Sequence, residues 1–532
     1  MVFTLQRYIF RELFKVFALA TIGLTLVLSL GGILQPVQEY GVGPQQVVHI
    51  LVYFMPITLT FVLPMAALFA SALTYGRFAS DNELDACRAS GVSLFTMVYP
   101  GWILAILVAI ANLILSFHVM PYFVHLAEKS LKADAKQIVF RNIERRGFYE
   151  LPPDGRYMIY ADYADAKNDT LSGIVVIQND VGNIRKIIAA DAAGIRFDPH
   201  ESFNEVQLDV FGARQMGAAD DFWFEIGSAS LRPKFGSLLG DDIKFKRVNE
   251  MKQIRADLMR FDPIAQVALT GFAQLATELL AQDISAAMAA DDAALYELRG
   301  RTRSVKFSAT SCALEEEKEI SLGGRPIVVE EYDSLSGRLL RTLRCHRARL
   351  LLDEDPAGPG LTLNLSNARV DATGQIMVHH TIGGLVLPEP LAQRLHRASL
   401  LETVTPEHTS SVLSGSPSTT LAGLQAQLVR IIRRTLVDIK AEMNSRLVFG
   451  IGCIPMIMIG IGLGIINRGG HLLSAFGASC VPAAVLIVAI ISGKHVTENM
   501  TAQGVSGIIV MWAGLAALIV LAAAIYARLS RS

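Results

Sequence analysis

Val16-Phe-Ala-Leu-Ala-Thr-Ile-Gly-Leu-Thr-Leu-Val-Leu-Ser-Leu-Gly-Gly-Ile-Leu34 runs for 19 residues without an Asp, Glu, Lys or Arg. Five more apolar stretches share that property: 47–73, 94–119, 447–466, 472–492 and 505–527, of 27, 26, 20, 21 and 23 residues. About 20 apolar residues in a helix cross roughly 30 Å of hydrocarbon, so each stretch is long enough and the longer ones can tilt. One charge at the centre of a span costs roughly 2.5–3.5 kcal/mol on insertion scales, which makes six charge-free windows a membrane signature. The first stretch does not read as a cleaved leader, because it is long, lacks a small-residue cleavage site and continues into a second span. The predicted fold is therefore an α-helical membrane protein with six transmembrane helices in a 3+3 layout. Residues 1–120 and 447–532 form the two halves, and 121–446 form one large domain inserted between the third and fourth spans.

Orientation follows from the short loops. With the N-terminus inside, the inside segments carry Arg7, Arg11, Lys15, Arg77, Arg88, Arg468, Arg528 and Arg531, and the outside loops 35–46 and 493–504 carry only Lys494. Basic residues stay on the cytoplasmic side, so both termini are predicted cytoplasmic and the 121–446 domain periplasmic. The formal net charge of −1 gives no reason to expect a nucleic-acid partner.

The inserted domain begins after Pro121 with a helical run to about Arg146 and then turns to short alternating strands such as 157–160 and 173–180. Residues 185–192 followed by 206–214 are echoed by 341–348 followed by 361–369. That echo fits a duplicated hairpin, and it is equally what any two β-hairpins produce. Short strands with Gly, Asp, Asn and Pro turns suggest an antiparallel sandwich or jelly roll. Between the two β regions a helical insert is predicted near 250–300, opened by Asp262-Pro263 and closed by Gly300. Residues 403–420 read as a Ser/Thr/Pro/Gly linker, leading into an amphipathic helix over 421–446.

Catalytic motifs are missing. No G-x-x-x-x-G-K-[ST] occurs, since Val488 stands where Gly493-Lys494 would need its leading Gly. No H-E-x-x-H or Cys-x-x-Cys occurs, so no metal or cofactor is expected. The G-x-S-x-G elbow fails at Phe95, Val481 and Ile508. The chain is thus expected to be no enzyme and to have no ATP site. Cys312 and Cys345 would share an oxidising compartment, where a disulfide is possible. His118, near a span end, reads as an interfacial side chain.

The cytoplasmic loop 75–93 reads as a short helix. Ser80 or Asp81 can cap it, Asp81, Glu83 and Asp85 suit the positive end of its dipole, and Gly91 can end it. Leu84, Ala86 and Ala89 are expected to face a partner groove. Its acidic residues argue against lying on the negatively charged inner leaflet.

Glu83-Leu84 and Ala89-Ser90-Gly91 in this position resemble the coupling helix of the LptF/LptG (YjgP/YjgQ) permease family. Arg7-Tyr8-Ile9-Phe10-Arg11-Glu12-Leu13-Phe14-Lys15 resembles that family's R-Y-x-x-R-E-x-x-K opening. Glu442, Arg446, Pro455, the 460–464 glycine run and Asn467-Arg468 resemble its fourth-span pattern. The resemblance covers about 1–240 and 340–530, with 250–300 as an insertion. It implies a permease subunit of the ABC transporter that extracts lipopolysaccharide from the inner membrane. Its implied partners are an LptB-like ATPase dimer, a second LptF/LptG-type permease, an LptC/LptA-like periplasmic bridge and the lipid itself. It further implies that Glu83, Leu84, Arg88, Ala89, Ser90 and Gly91 couple to the ATPase. Arg7, Arg11, Glu442, Arg446 and Pro455 belong to its gate and structural motifs, and spans one and five to its lateral gate. At 35–39 this chain has Gln-Pro-Val-Gln-Glu in place of the lysines that family members can carry there. A secondary transporter without an ATPase and a membrane-anchored periplasmic scaffold are the alternatives.

Overall fold

The computed structural model describes residues 2–40, 44–133, 135–151, 157–180, 183–199, 204–217, 224–231, 234–235, 242–290, 295–300, 302–315, 319–334, 336–353, 360–395, 400–413, 415–466, 472–499 and 505–531. Two compact units emerge, Met1–Met251 with Val437–Ser532, and Lys252–Leu436.

The first unit opens with α1 (Val2–Tyr40), α2 (Pro44–Ser80), α3 (Glu83–Ala89) and α4 (Leu94–Ile114). A π-helical turn, Leu115–Val119, joins α4 to α5 (Met120–Ala133), and α6 (Ala135–Arg146) follows. Along α1, Ile9, Leu13 and Phe17 are buried at fourfold spacing while Leu19, Ile22, Leu26 and Leu30 stay exposed. A helix apolar on every face needs an apolar solvent on the side its neighbours do not cover.

Seven strands come next: β1 (Phe148–Glu150), β2 (Tyr157–Asp165), β3 (Thr170–Asp180), β4 (Asn183–Pro199), β5 (Asn204–Gly217), β6 (Phe224–Leu231) and β7 (Lys234–Phe235). They form one antiparallel sheet in the order β1-β2-β3-β4-β5-β6, with β7 on β5. Ile174 and Val176, Ile188 and Ala190, and Val206, Leu208 and Val210 alternate onto one face. That face packs with Ile138, Val139, Phe140 and Ile143 of α6 in one apolar cluster.

Past α7 (Val248–Ala256), the second unit holds α8 (Asp262–Ala290) and a second sheet. Its strands are β8 (Tyr296–Arg299), β9 (Arg303–Ser308), β10 (Ser311–Glu315), β11 (Glu319–Asp333), β12 (Leu339–Asp353), β13 (Gly360–Val370) and β14 (Ile376–Val386). The order is β14-β13-β12-β11-β9-β8, with β10 on β11. Gly300, just past β8, bridges Leu385 of β14, so the sheet meets its own far edge. A Cβ on Gly300 would lie 2.6 Å from the Arg303 carbonyl oxygen, which is why the seam needs glycine there. Leu275, Ala276, Leu279, Leu280 and Ile284 of α8 fill the core of this sheet together with Val305, Phe307, Val329 and Leu343. Three short helices, α9 (Glu389–Leu395), α10 (Leu400–Thr403) and α11 (Pro406–Val412), precede α12 (Thr419–Ile466). The chain ends with α13 (Leu472–Asn499) and α14 (Val505–Arg531).

Among the described residues six helical segments are long and apolar enough to cross a membrane: Phe3–Gly31, Leu51–Ser80, Leu94–Ser130, Asp262–Ala289, Thr419–Ile466 and Ser506–Ser530. Val481–Thr497 is a shorter apolar helix. The chain is thus a multi-pass membrane protein with a β-rich portion. Asp262–Ala289 was not among the charge-free stretches, and its packing explains the difference. It carries buried Gln274, Thr277 and Glu278, and its apolar side chains are spent on its own sheet. Ser418 Oγ and N–H donate to the Glu278 carboxylate, satisfying the buried charge within the unit.

Several expectations need correction. In a jelly roll, consecutive strands are shared between two sheets; here each sheet is a sequential meander, because short hairpins keep neighbours in sequence adjacent. The insert helix ends at Ala290, and Gly300 makes the seam instead of stopping a helix. The 403–420 stretch contains α11, with Thr409, Val412 and Leu413 buried, so it is part of a core. Both echoed strand pairs are paired neighbours, β4 with β5 and β12 with β13. Cys312 and Cys345 are free thiols. β11 separates them: Cys312 pairs with Leu322 and Cys345 with Ile327, and two strand spacings are about 9–10 Å, beyond disulfide reach.

Candidate functional site

The loop between α2 and α4 is a built element. Asn82, at φ 57°, occupies the N-cap position of α3 with no side-chain cap, while Ser80 Oγ turns back to the Arg77 carbonyl. The expected caps at Ser80 and Asp81 are therefore not used, because the chain enters α3 through a left-handed turn that points them elsewhere. The exit is a Schellman turn: Val92 N–H donates to Cys87 O at 3.1 Å and Gly91 N–H to Arg88 O at 2.9 Å, with Gly91 at φ 82°. Leu84 is only 5% exposed and packs in the helical core, with Cys87 beside it. Leu84 is thus an anchor and not a contact left open for a partner. The opposite face, Glu83, Ala86, Ala89 and Ser90, is exposed, as are Arg88 and Gly91.

Two braces hold this loop. The buried Tyr75 hydroxyl donates to Met97 O at 2.9 Å, tying the end of α2 to the start of α4. Glu12 accepts from Lys15 at 2.7 Å and from Arg77 at 3.4 Å, tying α1 to α2 just before the loop. Glu12 lies inside the N-terminal motif, directly after the exposed Arg11, and residue type alone gave no reason to single it out.

Polar residues also converge at the other end of the helices. Arg446 Nε donates to Glu442 Oε1 at 2.8 Å, and Lys494 Nζ of α13 donates to Glu442 Oε2 at 2.6 Å. The side chains of Arg446 and Glu442 are 3% and 11% exposed. Arg446 Nη2 donates to the carbonyls of Lys244 and Lys246 at 2.8 and 3.3 Å, and its guanidinium lies 5.8 Å from the Phe117 ring centroid. Its Nη1 has no partner among the described residues. Trp512 Nε1 of α14 donates to Asn444 Oδ1 at 3.1 Å. One turn of α12 thus ties α13 and α14 together, and removing one member of such a buried pair typically costs about 3–5 kcal/mol. Lys494 stood out in the sequence only as the one base in the outside loops; its partner lies 52 residues away.

Between these ends, α12 lies close against α2. A Cβ on Gly460 would come 2.7 Å from Leu68 O, and one on Gly464 would come 2.6 Å from Ala72 O. Small residues four apart let two helix backbones touch where no water drives association. Ser71 Oγ bonds Leu68 O and also reaches Ile457 O across the contact at 3.3 Å. Pro455 is buried in α12, where it removes one backbone hydrogen bond. Asn467-Arg468 and the side chains of 35–39 lie outside the described residues. Among the described residues no three His, Cys, Asp or Glu side chains converge as a metal site.

No curated protein matches the chain. Residues 7–217, from the N-terminal motif through the end of β5, match the family of the lipopolysaccharide export system permease LptF/LptG, the family that the motifs at 7–15 and 83–91 resemble.

Proposed function

We propose that this chain is a permease subunit of an ABC transporter that extracts lipopolysaccharide, or a similar lipid, from the inner membrane and passes it to a periplasmic bridge. The observation that carries the reading is the family match over 7–217, which spans α1–α6 and most of the first sheet, with the α3 loop inside it. On this reading α1, α2 and α4 form one three-span half and α12, α13 and α14 the other. Both termini and α3 face the cytoplasm and the sheets face the periplasm. The ends of the helices agree with that alternation. Tyr526 near the end of α14 bonds Met458 O in α12, toward the same end as Tyr75 and Met97. Lys494, Trp512 and Glu442 gather at the opposite end.

The energy comes from a separate ATPase dimer that docks on the exposed Glu83–Ala86–Ser90 face of α3, next to Arg88, Ala89 and Gly91. Leu84 and the Schellman turn stiffen α3, so force on its outer face passes into α2 and, through the Gly460–Gly464 contact, into α12. A second permease of the same kind completes the lipid path. Secondary transport would call for an ionisable group free to exchange a proton or ion. Glu442 instead has both oxygens engaged by Arg446 and Lys494, which favours a structural tie.

Charge reversal tests the coupling role. Glu83→Arg sits on an exposed face, so helix content and melting temperature should stay as in the wild type. Co-purification of the ATPase from detergent, and lipid export, should fall at least tenfold. Wild-type ATPase recovery and export in that variant would remove the coupling assignment.

A further inference from the structure

The third apolar span does not end smoothly. The π turn at Leu115–Val119 inserts an extra residue just where α4 gives way to α5, and such bulges concentrate at functional sites. Beside it lies a cavity of about 430 Å³ lined by Phe117, His118, Val119, Tyr122 and Phe123 on one side and by Arg247, Val248 and Asn249 on the other. One wall is aromatic and aliphatic. The other is the first turn of α7 with a cation at its start.

The polar wall is arranged for an anion. Arg247 N–H is taken by Glu250 Oε2 at 2.9 Å, closing the end of α7 in the manner of a capping box. Glu250 is further engaged by His125 at 3.3 Å and stands 4.0 Å from Arg247 Nε. The Arg247 guanidinium lies over the Tyr122 ring, 5.6 Å from its centroid, and is 44% exposed. Behind this wall the buried Arg446 grips the carbonyls of Lys244 and Lys246, and its Nη1 has no partner among the described residues. Arg247 therefore presents a half-exposed cation to the cavity at the positive end of a helix dipole, with the Glu250 carboxylate turned to the Arg247 backbone N–H and to His125.

The apolar approach is equally specific. Ile103, Ile106, Leu107, Ile110 and Ile114 are exposed along α4 and lead to the exposed His118 and Tyr122 at the cavity mouth. At helical spacing this is one continuous stripe running from the apolar surface to the cationic wall. Its chemistry is that of an amphiphile with an anionic head and a hydrocarbon tail.

We propose that this cavity binds the phosphate head of an anionic membrane lipid, held by Arg247 and the first-turn amides of α7, with an acyl chain along Ile106, Ile110 and Ile114. The site depends only on α4 lying in a lipid bilayer and is independent of the transport reading. The lipid acts there as a bound wedge between the α4–α5 junction and α7.

Native mass spectrometry of the full chain, released from nanodiscs containing phosphatidylglycerol and phosphatidylcholine, tests it. The wild type should retain phosphatidylglycerol in preference to phosphatidylcholine. Losing a charge-assisted contact to phosphate should weaken retention about tenfold in Arg247→Gln. Arg247→Lys should recover most of the binding, and Arg338→Gln, an exposed arginine of the second unit, should change nothing. Asn249→Asp, which sets a negative charge against the phosphate at the same wall, should also lose the lipid and covers the case in which Arg247→Gln unfolds. Equal retention of both lipids, or unchanged binding in both wall variants, overturns the site. Competition by glycerol phosphate at the concentration where the lipid binds would make the ligand a free phosphate and overturn the lipid assignment.

Discussion

Among the described residues the sheet of the first unit runs β1 to β6 with no bridge between its ends, whereas the sheet of the second unit runs β8 to β14 and bridges back through Gly300 to Leu385. Both are antiparallel meanders, and both follow a helix that packs on the apolar face. The covering helices differ in size: α6 has 12 residues and α8 has 29. A longer helix occupies more of the curved face, and a sheet wrapped around it can reach its own edge. The comparison gives the 250–300 segment, unexplained by the family resemblance, a physical role. It supplies the core around which the second sheet closes.

The largest expected effect comes from the shared design. Phe140→Ala removes a fully buried ring from the α6 face and should cost about 3–5 kcal/mol. If the two units fold independently, thermal unfolding will show one transition lowered and the other unmoved; a single shifted transition would mean the two sheets are one cooperative body. Closure is tested by Gly300→Val, where the added carbons meet the Arg303 and Gly384 backbones. Overpacking of that kind should cost about 1–3 kcal/mol and speed hydrogen exchange at β8 and β14, with no change in the first sheet.

The smallest effect concerns the polar end of the closed sheet. Glu331 is fully buried on the face that carries Ile327 and Val329, and receives Arg303 at 2.6 Å and Arg341 at 2.5 Å, with His380 at 3.5 Å. Burial pushes its carboxyl upward, but His380, Arg341 and Arg303 outweigh that and hold it at about 2. A carboxyl depressed in the folded state stabilises fully above its ordinary value of about 4.3 and loses that contribution as pH falls toward 2. The second transition should therefore weaken between about pH 4.5 and 2 in the wild type, and Glu331→Gln should flatten that part of the profile. An unchanged slope in Glu331→Gln would assign the acid sensitivity to other groups.

Much of this molecule is legible in local sequence. The charge-free stretches foretell the long apolar helices. The alternation at 173–180 and 206–214 foretells β3 and β5, and Gly91 foretells the end of α3. The misses have a common cause. The Asp262–Ala290 helix itself was legible, but its role as the filling of a sheet was not, because that depends on what lies against it. Gly300 reads as a helix stop because its partner, Leu385, is 85 residues away. Leu84 reads as an open contact because the core that buries it comes from other helices.

By itself, then, the sequence determined where apolar helices, strands and turns form, since hydropathy, charge and backbone propensity act within a few residues. The tertiary structure decided the rest: Lys494 and Arg446 sharing Glu442, α12 seated on α2 at Gly460 and Gly464, the cationic wall beside the π turn, and the closure of the second sheet through Gly300. Each depends on groups tens to hundreds of residues apart meeting within about 3 Å, a distance at which desolvated charges and backbone contacts are strong and about which local pattern carries no information.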